Sequence, residues 1–137
     1  MRILKRKWTL VSILILLPVG FYTKFYSGPL SFWVNTSLGG LFYVMFWSLV
    51  IFLVRPTLTP LKIGGLVLVL TCGLEFLQLW HPKFLESIRR YFIGRTLLGT
   101  TFAWMDFIHY FIGCLLSVGL LNHLNKIEFQ DKSGRNV

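Results

Sequence analysis

Four long apolar stretches, separated by short clusters of charge, proline and glycine, organise the chain. A helix rises about 1.5 Å per residue and the lipid core is roughly 30 Å thick, so each crossing needs about 20 mostly apolar residues. The pattern predicts transmembrane helices over 8–26, 36–54, 61–80 and 102–124. Ser27-Gly28-Pro29 and Asn35-Thr36-Ser37 mark the gap before the second span, and Arg55-Pro56 ends it. Pro60 opens the third span, and His81-Pro82 closes it, because the residue before a proline is pushed out of the helical region. Between the last two spans, Phe84, Leu85, Ile88, Tyr91 and Phe92 recur at helical spacing among Lys83, Glu86, Ser87, Arg89 and Arg90. That pattern predicts an amphipathic interfacial helix over 83–92. Long unbroken apolar runs exclude a barrel, whose strands alternate. The expected fold is therefore all-α: an integral membrane bundle of four transmembrane helices plus one interfacial helix between the third and fourth.

Composition agrees with that pattern: 55% of residues are hydrophobic and 14% charged, so lipid rather than water is the expected surroundings. Residues 1–125 then form a single transmembrane domain and residues 126–137 a short polar tail. A net charge of +9 would suggest nucleic acid in a soluble protein, but here the basic residues flank apolar runs, and no nucleic-acid partner is expected. Placing the amino terminus inside puts nine basic residues in cytoplasmic segments: Arg2, Lys5, Arg6, Lys7, Arg55, Lys62, Lys126, Lys132 and Arg135. Five lie outside, namely Lys24, Lys83, Arg89, Arg90 and Arg95, so both termini are expected in the cytoplasm. The basic start and the apolar run after it match the first two parts of a secretory signal, but bulky residues at 22–26 stand where a cleavage site needs small ones. Trp8, Trp33, Trp80 and Trp104 fall at span ends, and Trp47 lies deep in the second span. Cys72 and Cys114 lack metal-ligand spacing and read as small apolar packing residues.

The chemistry-bearing residues gather at one place. Glu75 and Gln78 share a face of the third span near its outer end, and Asp106, His109, Tyr110 and Gly113 share a face of the fourth. A carboxylate in a span costs insertion energy and needs a partner, for which Arg89, Arg90 and Arg95 in the connecting loop are the candidates. One reading is a ligand pocket made of Glu75, Gln78, Asp106, His109, Tyr110 and those arginines. The other is that the same groups only pin the helices together. Gly113 and Ser117 form a small-xxx-small notch. No serine or cysteine has a base at a nucleophile's spacing, so the reading leans away from an enzyme, and neither metal nor cofactor is expected.

Glu75-Phe76-Leu77-Gln78, followed by the run from Gly99 to Gly113 with Trp104, Asp106 and Tyr110, resembles a bacterial family of small uncharacterised four-helix membrane proteins, some labelled YjgA or ribosome maturation. More distantly, Glu75, Gln78, Asp106 and Gly113 resemble the pattern of VanZ-like membrane proteins, with Tyr110 where that pattern has Asn. The resemblance implies a multi-pass protein of the bacterial plasma membrane. The expected function is binding of a polar lipid or envelope precursor at the outer-face cluster. Two alternatives stay open: a small oligomeric transporter or proton-coupled channel, and an assembly partner of another membrane protein that docks through Phe42, Phe46 and Trp47. Membrane lipids, a second copy of the chain or another membrane protein are the partners these readings imply.

Overall fold

The computed structural model describes residues 7–55, 57–98 and 104–134, and every regular element among them is helical. Arg2, Lys5, Arg6, Pro56, residues 99–103 and Arg135 lie outside the described residues. The helices are α1 (Lys7–Phe25), α2 (Ser31–Trp33), α3 (Gly39–Val54), α4 (Pro60–Leu77), α5 (Lys83–Arg89), α6 (Phe92–Leu98) and α7 (Trp104–Gly134), with a π-helical turn, Val34–Leu38, joining α2 to α3. Among the described residues, three helical stretches are long and apolar enough to cross a membrane: Lys7–Phe25, Pro60–Leu77 and Trp104–Ile127. The shorter α3 is apolar throughout its 16 residues.

Local chemistry explains where the elements depart from the expected boundaries. The helical run containing α3 begins at Ser31 rather than 36, because Leu30 adopts a left-handed conformation (φ 60°) and the Ser31 N–H then bonds to the Gly28 carbonyl at 3.2 Å. Thr59 caps α4 through its hydroxyl oxygen, which accepts from the Lys62 N–H at 3.4 Å, and Pro60 occupies the first turn, where its missing N–H costs nothing. α4 stops at Leu77, short of 80, in tight turns from Leu79 N–H to Phe76 O and from Trp80 N–H to Leu77 O. The single interfacial helix expected over 83–92 is instead two short helices, α5 and α6, broken at Arg90 and Tyr91. Residues 126–134 of the polar tail continue α7, since that segment holds good helix formers and no glycine before Gly134.

α3 is the centre of the bundle, packing against α1, α4 and α7, and α4 also packs against α7. The buried core is Val44, Leu49 and Phe52 of α3, Ile63 and Val67 of α4, and Cys114, Leu121 and Leu124 of α7. These positions lie toward the end of the bundle where α3 finishes and α4 begins. Large apolar side chains cover the outside, among them Leu14 at 68% and Val69 at 70% exposure, a surface that lipid rather than water would cover. Glycine allows the closest crossings. A Cβ on Gly64 would lie 2.7 Å from Val118 Cγ2 and 3.1 Å from Cys114 Sγ, and one on Gly113 would lie 3.0 Å from the Leu41 carbonyl oxygen.

One buried arginine ties the loop helices to the bundle. The Arg89 guanidinium donates to the carbonyls of Leu77 and Trp80, both at 3.1 Å, so it caps the orphaned end of α4. It also bonds Glu86 at 2.9 Å, and His81 meets the same Glu86 oxygen at 2.8 Å. The His81 hydrogen bond, then that from Arg89, holds the Glu86 carboxyl below the usual carboxylate range.

Two tests follow from this packing. Gly64→Ala is expected to destabilise the protein by about 1–3 kcal/mol in detergent unfolding, because Val118 is a stiff β-branched neighbour. Gly65→Ala is the control: nothing lies within 4 Å of its Cβ position, so helix propensity alone is expected to stabilise it slightly. Glu86 has a lowered folded pKa, so its contribution is complete above the ordinary carboxylate pKa of about 4.3 and is lost as pH falls through the folded value. Protease protection of the 83–98 segment is therefore expected to fall on acidification, and Glu86→Gln is expected to flatten that profile.

Candidate functional site

At the end of the bundle opposite the apolar core, α4 and α7 bring their polar groups together. Glu75 is wholly buried, and its Oε2 accepts two hydrogen bonds, one from the Tyr110 hydroxyl at 2.9 Å and one from the Gln78 amide at 3.3 Å. The Asp106 carboxyl is within hydrogen-bonding reach of Glu75 as well. The local reason is periodic. Positions 75 and 78 are one turn apart on α4, positions 106 and 110 one turn apart on α7, and the two helices run antiparallel with these faces opposed. Gly40 of α3 leaves room for the Tyr110 ring, since a Cβ there would lie 2.8 Å from Tyr110 Cε1.

A cavity of about 440 Å³ opens beside this cluster. Its apolar wall comes from α1 (Leu16, Leu17, Phe21) and α3 (Phe42, Phe46, Trp47), with Leu74 of α4. Its polar wall is Asp106, Tyr110, Gln78, Asn35, Lys24 and Arg95. Glu75 does not line the cavity: it stands behind Tyr110 and Gln78 and positions both. Asn35 and Gln78 line the cavity, but their side-chain oxygens, Oδ1 and Oε1, are themselves buried and have no hydrogen-bond partner. Such groups cost free energy. α6 lies across the end of α1 and α3: Phe92 stacks on Phe21 and Phe25 at centroid distances of 6.4 Å, and the Tyr43 hydroxyl donates to the Leu97 carbonyl at 3.0 Å.

The eight residues singled out from the sequence separate into three groups. Glu75, Gln78, Asp106 and Tyr110 meet one another, and Arg95 reaches the same cavity. His109 points elsewhere. Its Nε2 accepts from Trp33 Nε1 at 3.2 Å and its Nδ1–H donates to the Met105 carbonyl at 2.8 Å, so both nitrogens are engaged, one joining α7 to α2 and the other within α7. Arg89 is engaged with Glu86 and the end of α4, and Arg90 is exposed and outside the cavity wall. Phe42, Phe46 and Trp47 are half-buried and line the cavity. Sequence reasoning passed over Asn35 and Lys24. Asn35 donates to the Tyr26 carbonyl at 3.1 Å, and Lys24 donates to the Asn35 carbonyl at 3.3 Å. The available signal was the isolation of Asn35 in a stretch, 25–54, that has no charged residue.

Tyr110→Phe removes the hydroxyl that joins α7 to the buried Glu75. The expected cost is about 1 kcal/mol, within the range of interhelical hydrogen bonds in membranes. Gly40→Ala, which drives the Tyr110 ring aside, is expected to cost at least as much in the same detergent unfolding measurement, and a Gly40→Ala, Tyr110→Phe double variant should show less than the sum.

No solved structure matches the chain. A family model does match, over residues 30–114, which takes in α2 to α6 and the part of α7 that carries Asp106 and Tyr110. The chain belongs to the DUF2809 family, proteins of unknown function.

Proposed function

We propose that this is a four-span protein of the bacterial plasma membrane that binds a polar lipid or envelope precursor, with the headgroup in the cavity between α1, α3, α4 and α7. The observation that carries the reading is the mixed lining of one cavity: apolar side chains, most of them from α1 and α3, together with Lys24, Gln78, Arg95, Asp106 and Tyr110. An amphiphile matches that lining, since its chains prefer the apolar side chains and its headgroup the polar ones. The continuous helical run over residues 31–54 supports a fourth crossing, because with α2 and the π turn added α3 is long enough to traverse the lipid core. The excess of basic residues at the two termini and the 55–62 loop favours the amino terminus inside, which sets the cavity near the outer leaflet with α5 and α6 in the headgroup layer.

Two measurements test this. Asp106→Asn and Glu75→Gln are each expected to lower the amount of lipid that copurifies with the protein in mild detergent, Asp106→Asn through the wall itself and Glu75→Gln through displaced Tyr110 and Gln78. Unchanged lipid retention in both would remove the pocket as a lipid site. Reporter fusions at Lys24 and Arg90 are expected to read outside, with Thr59 and the carboxyl terminus inside.

A further inference from the structure

We infer that the polar end of the bound amphiphile is a phosphodiester with a net negative charge, held by Lys24 and Arg95, and that zwitterionic headgroups bind less well. The inference rests on the lipid-binding reading above and narrows it to a chemical class.

Two exposed cations from different elements line the cavity, Lys24 in the last turn of α1 and Arg95 in the last turn of α6. Lys24 is turned toward the bundle. Its ammonium donates to the Asn35 carbonyl at 3.3 Å and lies over Gly39, where a Cβ would come within 3.3 Å of both Cε and Nζ. That single bond leaves further N–H donors of the ammonium for a ligand. The Arg95 guanidinium has no hydrogen bond or salt bridge among the described residues, so its whole fork of donors is free. The other basic residues of the connecting loop are placed differently. Arg89 is engaged with Glu86 and the carbonyls at the end of α4, and Lys83 and Arg90 are exposed but do not line the cavity.

The charge of the lining selects the sign of the ligand. Against Lys24 and Arg95 it sets one acid, Asp106, while Glu75 is turned away from the cavity to accept from Tyr110 and Gln78. One positive charge of the lining is left over. A phosphodiester monoanion cancels it, and phosphate oxygens are the acceptors that suit a guanidinium and an ammonium. A zwitterionic headgroup brings its own cation along with its phosphate and leaves the excess as it was. The apolar part of the lining, Leu16, Leu17, Phe42 and Phe46, offers nothing to a water-soluble anion and suits acyl chains, so the anion is that of a lipid.

The test offers delipidated full-length protein equimolar phosphatidylglycerol, phosphatidylmethanol, phosphatidylethanolamine and phosphatidylcholine with matched acyl chains, and reads retained lipid by native mass spectrometry. Wild type is expected to retain the two anions over the two zwitterions by about tenfold, or about 1.4 kcal/mol. Phosphatidylmethanol has no N–H or O–H in its headgroup, so its retention reports charge alone. Lys24→Gln combined with Arg95→Gln is expected to bring the ratio toward one, and a ratio unchanged in that variant overturns these two residues as its source. Lys83→Gln combined with Arg90→Gln removes the same charge from outside the cavity and is expected to leave the ratio as in wild type. An equal fall there would show attraction by the loop as a whole and overturn the assignment to the cavity. Glycerophosphoglycerol, an anionic diester without chains, is expected not to compete at equal concentration, and competition by it overturns a lipid as the source of the anion. Retention of the zwitterions by wild type at or above the level of the anions overturns the charge preference while leaving a lipid site in place. Retention of no lipid above the detergent background removes this inference and the lipid-binding reading together. The wild-type comparison stands even if a variant fails to fold.

Discussion

Burial of the Glu75 carboxyl is the constraint on which the site end of the molecule depends. A carboxyl with no exposure, in a bundle whose outer surface is apolar, has no water to turn to, so its neighbours must supply every hydrogen bond. They do so from two directions. Gln78 comes from the next turn of its own helix, and Tyr110 comes from α7. This arrangement fixes the relative depth of α4 and α7 to within the tolerance of a hydrogen bond, which apolar packing between two greasy helices in lipid would leave loosely set. Gly40 and Gly113 complete the fit by letting α3 approach the Tyr110 ring and the α7 backbone.

The molecule divides along its length. Toward the Arg55 end, α3, α4 and α7 interlock through aliphatic side chains and Phe52. Toward the other end α4 and α7 are joined by the hydrogen bond from Tyr110 to Glu75, Gly40 of α3 packs against the Tyr110 ring, and α1 leans on α3 with a cavity left between. The polar wall is held in place by a scaffold that does not itself contribute to it.

Much of this was legible in the chain. Apolar runs bounded by Pro60 and by His81-Pro82 located α4, and the i, i+3 and i+4 spacing of Glu75, Gln78, Asp106 and Tyr110 set them on facing stripes. Other features were not legible, for physical reasons. His109 shares the helical stripe of Asp106, but its partner Trp33 is 76 residues away, and no local pattern encodes a contact of that range. Arg89, Arg90 and Arg95 are equivalent by charge. Which one turns inward depends on the break at residues 90 and 91, which sends Arg89 back to the end of α4 and Arg95 toward the cavity. Asn35 lies in a π turn, a form with no sequence signature comparable to a cap or a proline.

That π turn has a consequence of its own. An ordinary helix turns about 100° per residue, so one rigid rod would force Trp33 and Asn35 to take whatever azimuth the aliphatic residues of α3 dictate. The wide turn at Val34–Leu38 inserts slack between the two halves of the run. Substitutions can therefore rotate the segment that carries Trp33 and Asn35 while Val44, Leu49 and Phe52 keep their places.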